Sequence, residues 1–313
     1  MIGVISYLVF FTTVASILAI AVLGLNLQWG NTGLFNGGVV AFFGAGAYGT
    51  LILGGPPQDG QLGGYGLIYP LALLGGMATA ALMAWVVGIL TLRLRHDYLA
   101  ISTFGVAVAF ENLMRNAQWL GGGAQGIRGF ERPLRSALGD GFAYNILFLL
   151  CVLILLILTY LFLQTLVASP FGRQLRAIRE DETAARSLGK SPAHIRLAAF
   201  VTGSVIMGLA GGLYATFYAF VSPQDVLPTL TFQIWAMLIV GGAGNNRGAV
   251  LGAFLIWAAW TASGWALSRF APVEAQLYTG SFQYILIGLV IVGMLLWRPQ
   301  GLLPERLVVS QSG

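Results

Sequence analysis

Charged residues are scarce in this 313-residue chain, in which Asp, Glu, Lys and Arg together make up 9%. Soluble domains average about 25% charged residues, so the composition excludes an ordinary water-soluble enzyme. The chain also has one cysteine, Cys151, and two histidines, which excludes an intramolecular disulfide framework and a zinc-type ligand cluster. No paired carboxylates and no Ser/His/Asp arrangement suggest catalysis. We therefore expect neither an enzyme nor a metalloprotein.

Apolar residues make up 57% of the chain, and the mean hydropathy is +0.81. A bilayer-spanning helix needs about 20 apolar residues, and several stretches without acidic or basic residues reach that length. These stretches are residues 1–58, 60–92, 141–172, 197–224, 226–246, 248–268 and 275–297. A membrane β-barrel would alternate over about 10-residue segments, whereas Ile146–Phe162 is continuously apolar. The sequence predicts an all-α, polytopic transmembrane helical bundle.

The apolar pattern predicts about eight or nine spans in a single transmembrane domain that covers residues 1–313. The candidate spans are Ile2–Leu25, Leu34–Leu53, Leu67–Leu92, Tyr98–Trp119, Tyr144–Leu166, Ile195–Phe220, Leu230–Gly242, Ala249–Leu267 and Phe282–Trp297. The seventh is short, so we expect a broken or re-entrant helix there, buried in protein or lining a wet cavity. No basic residue precedes Arg93, so the first run is interpreted as a retained span and not as a signal peptide.

The loop arginines and lysines predict how the chain is oriented in the membrane, because cytoplasmic loops carry an excess of both. Placing Arg173–Arg196 in the cytoplasm puts eleven basic residues inside and four outside, and the inverted topology reverses those numbers. We therefore expect the N-terminus outside and the C-terminus in the cytoplasm.

Residues 172–196 are called here the basic segment. They contain nine of the 27 charged residues, so we expect this stretch to be exposed to water. Leu175, Ile178, Ala185 and Leu188 recur at helical spacing, which predicts a short amphipathic helix closed by Gly189. The charge pattern alone leaves two interpretations open. The segment either docks a partner through its apolar face or only anchors the topology on the anionic leaflet.

Part of the basic segment, Thr183–Gly189, resembles the Glu-Ala-Ala-x-x-x-Gly loop of ATP-binding-cassette importer permeases. In that family a cytoplasmic helix seats in a groove of the ATPase subunit. Thr183 stands in place of the first Glu, and Glu182 lies one residue earlier. The resemblance implies that the ATPase-coupling residues are Arg176, Arg179, Glu182, Ala184, Ala185 and Gly189.

Nearly the whole chain is similar to the longer of the two paired permeases of bacterial branched-chain amino acid importers. The similar segments are Thr32–Gly37, Ala41–Tyr48, Asp97–Thr103, Gly121–Ile127, Ser169–Arg173, Ala177–Glu180, Gly241–Gly244 and Arg298–Leu302. The resemblance implies a multi-pass protein of the bacterial inner membrane. Its implied partners are a second homologous permease, two ATPase subunits that bind ATP and Mg, and a periplasmic or lipid-anchored binding protein. It implies no cofactor in this chain and no nucleic acid.

Two departures leave the cargo open. Relatives usually have Ser-Leu-Gly where this chain has Phe35-Asn36-Gly37, and Thr and Pro where it has Asn246 and Ala249. The expected cargo is a branched-chain or other hydrophobic amino acid, and urea or a short amide is the alternative within the same class. A gradient-driven secondary transporter is the rival class, and it would need acidic residues inside the membrane.

Two small-residue motifs, Gly33–Gly37 and Gly248–Gly252, lie beside asparagines. Interrupted helices of transporters direct freed polar groups at the pathway, whereas close helix packing by small residues is the other interpretation. Glu111 lies in a predicted span with Arg115 four residues later, and the pair either lines the route or is structural. The candidate pathway residues are Asn31, Asn36, Gly37, Glu111, Asn245 and Asn246.

Overall fold

The computed structural model describes residues 2–57, 60–94, 96–128, 130, 132–133, 139, 141–187, 189, 191–270, 272, 276 and 278–305. In this part of the chain the regular structure is twelve α-helices with two short 3₁₀ turns. The helices are α1 Ile2–Gln28, α2 Val39–Gly54, α3 Tyr69–Thr91, α4 His96–Asn116, α5 Gln118–Gly121, α6 Phe142–Ala168, α7 Pro170–Glu180, α8 Glu182–Ser187, α9 Pro192–Tyr218, α10 Pro228–Gly241, α11 Asn246–Phe270 and α12 Thr279–Trp297. The predicted all-α fold is confirmed.

Each of the nine predicted spans overlaps one helix of at least 14 residues, and the fourth also takes in the start of α5. Six helices, α1, α3, α6, α9, α11 and α12, are long and apolar enough to cross a membrane. Helix α4, in the fourth predicted span, has 21 residues but is not among the helices apolar enough to cross. The apolar helices α2 and α10 are shorter, with 16 and 14 residues. At about 1.5 Å per residue, α10 extends about 21 Å and is shorter than a hydrocarbon core of about 30 Å. The helix in the seventh span is therefore short, and its expected broken or re-entrant course stays a prediction.

The second span begins later than predicted, at Val39 and not at Leu34. Residues 29–38 form turns and irregular backbone instead. Gly33 has φ +73°, a left-handed conformation that costs glycine little, and the Asn36 side chain accepts a hydrogen bond from the Gly38 backbone N–H. These local bonds compete with the helical ones and delay the start of α2.

Glycines bring α2 against α9 at the centre of the bundle. A Cβ on Gly46 would collide with the carbonyl of Gly208, and a Cβ on Gly211 with the carbonyl of Phe43. Most of α1 is buried beside them, whereas α12 exposes large apolar side chains such as Leu289 and Leu296. In a membrane protein such exposed apolar faces suit contact with lipid or with another apolar subunit.

The connections between helices meet in two groups, as the predicted alternation of spans requires. In one group, called here the basic end, the basic segment contacts residues 29–38, and residues 242–245 contact residues 298–305. In the other group Leu62 N–H donates to the Trp119 carbonyl, and Ile127 forms a bridge with Val221. The choice of the basic end as the cytoplasmic end still depends on the arginine distribution.

The basic segment forms two helices, α7 and α8, so the prediction of a single helix closed by Gly189 is wrong. Asp181 breaks it in an extended conformation (φ −152°, ψ 104°), and its Oδ1 accepts hydrogen bonds from the N–H groups of Thr183 and Ala184. An aspartate in this position caps the N-terminus of the next helix. Pro192 begins α9, while Leu188 lies outside the described residues.

Candidate functional site

A cavity of about 550 Å³ opens at the basic end. Its walls come from connections that are distant in sequence, namely the α1–α2 connection, the first turns of α4, helix α7 and the residue stretch after α10. The lining residues include Trp29, Gly33, Phe35, Ala100, Arg179 and Ala243. The volume lies in the range of about 300–1,000 Å³ that is typical of small-molecule sites.

Two aromatic rings, Trp29 and Phe35, line this cavity, and Trp235 packs against both of them. Phe35 stacks on Trp235 with ring centroids 4.3 Å apart and an interplanar angle of 18°. Trp29 meets both rings edge-on, at 5.5 Å from Phe35 and 5.4 Å from Trp235. The indole N–H of Trp235 donates to the Asn36 carbonyl at 2.9 Å, so the rings are fixed in position. The wall offers flat apolar surface to a ligand.

Arg179 enters the cavity from α7. Its guanidinium donates to the Gly30 carbonyl and, at 2.9 Å, to the Glu305 carboxylate. Its side chain is 23% exposed and passes Gly33, where a Cβ would lie 3.1 Å from the Arg179 Cγ. Arg179 is one of the predicted ATPase-coupling residues, and the structure directs its side chain into the bundle, where it joins the basic segment to the α1–α2 connection.

Glu182 ties α8 to α9. Its carboxylate pairs with Arg186 at 3.0 Å and with Arg196 at 2.9 Å. The Arg196 side chain is 9% exposed, whereas that of Arg186 is 69% exposed, so the two pairs lie in different surroundings.

The other predicted coupling residues divide between the outer surface and the bundle. Ala184 and Gly189 are exposed, Arg176 is half-buried, and Ala185 is buried with Leu175 and Ile178 on the side that faces the bundle. The predicted apolar docking face is therefore present, and it contacts this chain's own helices. The polar side of the basic segment is exposed at the surface of this chain.

Residues 301–305 bind along the end of α10. The N–H groups of Leu302 and Leu303 donate to the carbonyls of Val240 and Gly241 at 2.9 and 3.0 Å. Farther along, a Cβ on Gly244 would lie 2.9 Å from the carboxylate carbon of Glu305. This contact brings Glu305 to the cavity, next to Arg179.

Buried amide side chains hold the irregular connections of the basic end together. Asn26 donates to the Asn246 side-chain oxygen at 2.9 Å, and Asn246 donates to Gln164 at 3.3 Å. The Asn36 amide donates to the Gln28 side-chain oxygen at 2.8 Å, and Gln28 in turn donates to the Phe200 carbonyl and to the Ser204 hydroxyl. Asn36 and Asn246, both predicted pathway residues, thus have protein partners for their side-chain amides.

Asn31 differs from these two asparagines. Its Nδ2 donates to the Asn26 carbonyl at 3.1 Å, but its Oδ1 is buried and has no hydrogen-bond partner. Asn245 caps α11, because its Oδ1 accepts hydrogen bonds from the N–H groups of Arg247 and Gly248. Among the predicted pathway asparagines, Asn31 is thus the one whose buried side-chain oxygen lacks a hydrogen bond, and it is not among the residues that line the cavity.

The small-residue motifs serve helix packing. A Cβ on Gly37 would lie 2.8 Å from the Ala100 carbonyl of α4, and a Cβ on Gly252 would collide with the Met237 carbonyl of α10. Gly248 likewise abuts the Gly241 carbonyl. Of the two interpretations of these motifs, the geometry favours close approach of helices.

Glu111 lies away from the asparagines, toward the other end of α4. Ala100, which lines the cavity, lies 11 residues earlier, or about 16 Å along the helix. Glu111 is 7% exposed and forms an ion pair with Arg115 on the next turn. The structure therefore does not bring Glu111 into the site at the basic end.

Sequence reasoning missed several residues of this site. Trp29 and Phe35 flank the polar interruption after α1, and this position beside a predicted broken helix was a usable signal. The sequence carried no such signal for Glu305, because its partners lie 61 and 126 residues earlier. The missed residues are Asn26, Gln28, Trp29, Phe35, Gln164, Trp235 and Glu305.

Comparisons with known proteins agree with the architecture. Residues 7–295 match the family described as "Branched-chain amino acid transport system / permease component". The chain is 33% identical to the high-affinity branched-chain amino acid transport system permease protein LivM of Escherichia coli, over 93% of this chain and 69% of that protein. It is 26% identical to a probable LivM of Methanocaldococcus jannaschii, over 74% and 68%.

A more distant match is the autoinducer 2 import system permease protein LsrC of Photorhabdus laumondii. It is 25% identical over 59% of this chain and 53% of that protein. No solved structure shows a significant match to the chain.

Proposed function

This chain belongs to the family of permease components of branched-chain amino acid transport systems, and we propose that it is the translocation subunit of an importer for branched-chain or other hydrophobic amino acids. Partner ATPases would drive it through the basic segment. The observation that carries the proposal is the link made by Arg179, which connects α7 to the Gly30 carbonyl in the cavity wall.

The basic segment has the construction that a coupling element needs. Its apolar side chains fix it to the bundle, while Ala184 and Gly189 lie exposed on the outside. Glu182 joins α8 to the base of α9, the long helix that packs against α2. A displacement of α7 and α8 by an ATPase would thus reach the cavity wall and a central helix, because packed elements move as units.

The implied assembly contains a second homologous permease, two ATPases and a periplasmic or lipid-anchored binding protein. The names of the relatives support an import system of this type. We place the chain in the bacterial inner membrane with the basic end in the cytoplasm, so that the N-terminus is outside and the C-terminus inside. The excess of arginine at the basic end supports that orientation.

The cavity favours amino acids with apolar side chains over urea or short amides. The rings of Trp29 and Phe35, which line the cavity, offer apolar area that urea would not use. Competition of unlabelled isoleucine, valine and urea against leucine uptake tests this preference. We expect the amino acids to compete and urea to have no effect.

The gradient-driven rival is tested by the energy source of uptake. Glu111 would be the ion site of such a transporter, but its charge is already balanced by Arg115. We expect leucine uptake by cells that carry the complete system to stop with vanadate or on deletion of the ATPase genes. Uptake that survives both treatments and stops with an uncoupler would overturn the proposal.

A further inference from the structure

We propose that the cavity at the basic end is a release-side binding site for the transported amino acid, in which Arg179 receives the cargo carboxylate. The Glu305 carboxylate binds the same guanidinium in the structure. The inference rests on the proposed function and assigns the cargo a defined place and orientation in this chain.

The guanidinium of Arg179 is suited to a carboxylate ligand, because it already binds one. Glu305 accepts its hydrogen bond at 2.9 Å, and the Gly30 carbonyl accepts another. An arginine side chain carries five N–H donors in a planar fork, which matches a carboxylate with two parallel bonds. At 23% exposure, Arg179 lies where water screens such a bond less than at an open surface.

The aromatic wall lies on the same cavity as the guanidinium, since Trp29, Phe35 and Arg179 all line it. A hydrophobic amino acid has a carboxylate at one end and an apolar side chain at the other. With the carboxylate on Arg179, the apolar side chain would lie against the rings of Trp29 and Phe35.

Glu305 makes this site a releasing one. Its carboxylate competes with that of the cargo for one guanidinium. When the cargo leaves, the return of Glu305 replaces the interaction that Arg179 loses. The backbone bonds of Leu302 and Leu303 to the end of α10 keep Glu305 close to Arg179 throughout. A tethered competitor acts at high effective concentration and so lowers the affinity of the site for cargo.

The test uses the complete complex of permeases and ATPases in lipid nanodiscs, without the binding protein and without nucleotide. Equilibrium binding of radiolabelled L-leucine is measured for the parent and for Arg179→Gln and Glu305→Gln. We expect Arg179→Gln to weaken binding about 10- to 100-fold, the range for hydrogen bonds between charged groups. Glu305→Gln is expected to tighten binding several-fold, because the neutral amide competes poorly.

L-leucinol, which lacks the carboxylate, serves as the second probe. We expect the parent to bind it weakly, with no further loss in Arg179→Gln. Arg247→Gln is the matched control, because Arg247 is an exposed arginine at the same end that contacts the Tyr160 hydroxyl and does not line the cavity. This variant should bind L-leucine as the parent does.

Equal leucine affinity in the parent and Arg179→Gln, or equal affinity of the parent for leucine and leucinol, would overturn the inference. If Arg179→Gln fails to assemble, Glu305→Gln decides, and unchanged or weaker leucine binding in it counts against the competing carboxylate. The proposed function is tested separately by ATP-driven leucine uptake with the binding protein present. Uptake by the parent without any dependence of binding on Arg179 would remove the site and keep the function.

Discussion

The substitution Glu182→Gln tests how the basic segment is fastened to the bundle. Glu182 neutralises Arg196, which is 9% exposed at the base of α9. Removing one partner of a fully buried ion pair costs about 3–5 kcal/mol, because the remaining charge is left unpaired. The Glu182 carboxylate is itself 36% exposed, so water screens the pair and the expected cost is reduced to about 1–2 kcal/mol.

A cost of about 1.4 kcal/mol corresponds to a tenfold change in an equilibrium constant, so detached forms of α8 should become about 5- to 30-fold more populated. Hydrogen–deuterium exchange of the α8 amides in the reconstituted complex measures this population. We also expect fewer leucine molecules to be transported per ATP hydrolysed, because a detached helix does not transmit displacement.

The matched control is Arg186→Gln. It removes only the exposed partner of Glu182, at 69% exposure, and pairs of this kind contribute about 0.2–1 kcal/mol. We expect its exchange and coupling to stay near those of the parent. If Glu182→Gln and Arg186→Gln behave alike in both measurements, the buried pair does not fasten α8 and the reasoning is refuted.

Three further predictions concern the bundle. Gly211→Ala forces a methyl group into the α2 backbone. It should destabilise the detergent-solubilised complex by at least about 1–3 kcal/mol and so lower its melting temperature. Gly288→Ala, whose methyl group meets open space, should leave the melting temperature unchanged. Asn36→Ala leaves the buried side-chain oxygen of Gln28 without its donor, which should destabilise the complex by about 1–3 kcal/mol. The melting temperature, followed by tryptophan fluorescence, should fall accordingly. Glu111→Ala tests whether the route continues along α4 beyond the cavity, because it removes the ion-pair partner of Arg115 at the far end of that helix. It should lower leucine uptake while membrane assembly, checked by co-purification of the subunits, is retained, and uptake at the parental rate would leave the pair a structural one.

The helices themselves were predictable from the sequence, because apolar runs bounded by charged residues have the length that a helix needs to cross a membrane. The starts at Pro170 and Pro192 followed from local rules, since proline fits the first turn of a helix. The break at Asp181 was missed because four charged residues in a row, Arg179–Glu182, continue a helical pattern. It depends on a side chain that bonds its own backbone two residues later.

The site could be predicted only in part. Broken connections beside asparagines were predictable from glycine and asparagine content, and the irregular backbone of residues 29–38 agrees with that expectation. The pairing of Asn26 with Asn246 joins residues 220 positions apart, and that of Arg179 with Glu305 joins residues 126 apart. Neither pairing follows from local pattern, because only the packing of the helices brings these residues together.

The proposed function requires most of all that an ATPase subunit binds the basic segment from the cytoplasm. The direct measurement is cross-linking from a single cysteine, Ala184→Cys, at an exposed position in a Cys151→Ser background. A bifunctional maleimide is applied to the assembled complex. A second single cysteine at Trp119, which is 59% exposed at the opposite end, provides the comparison. We expect Ala184→Cys to cross-link to an ATPase subunit and to react with a membrane-impermeant maleimide only in inverted vesicles. Trp119→Cys should do neither. Cross-linking from Trp119→Cys, or labelling of Ala184→Cys in intact spheroplasts, would contradict the proposed function.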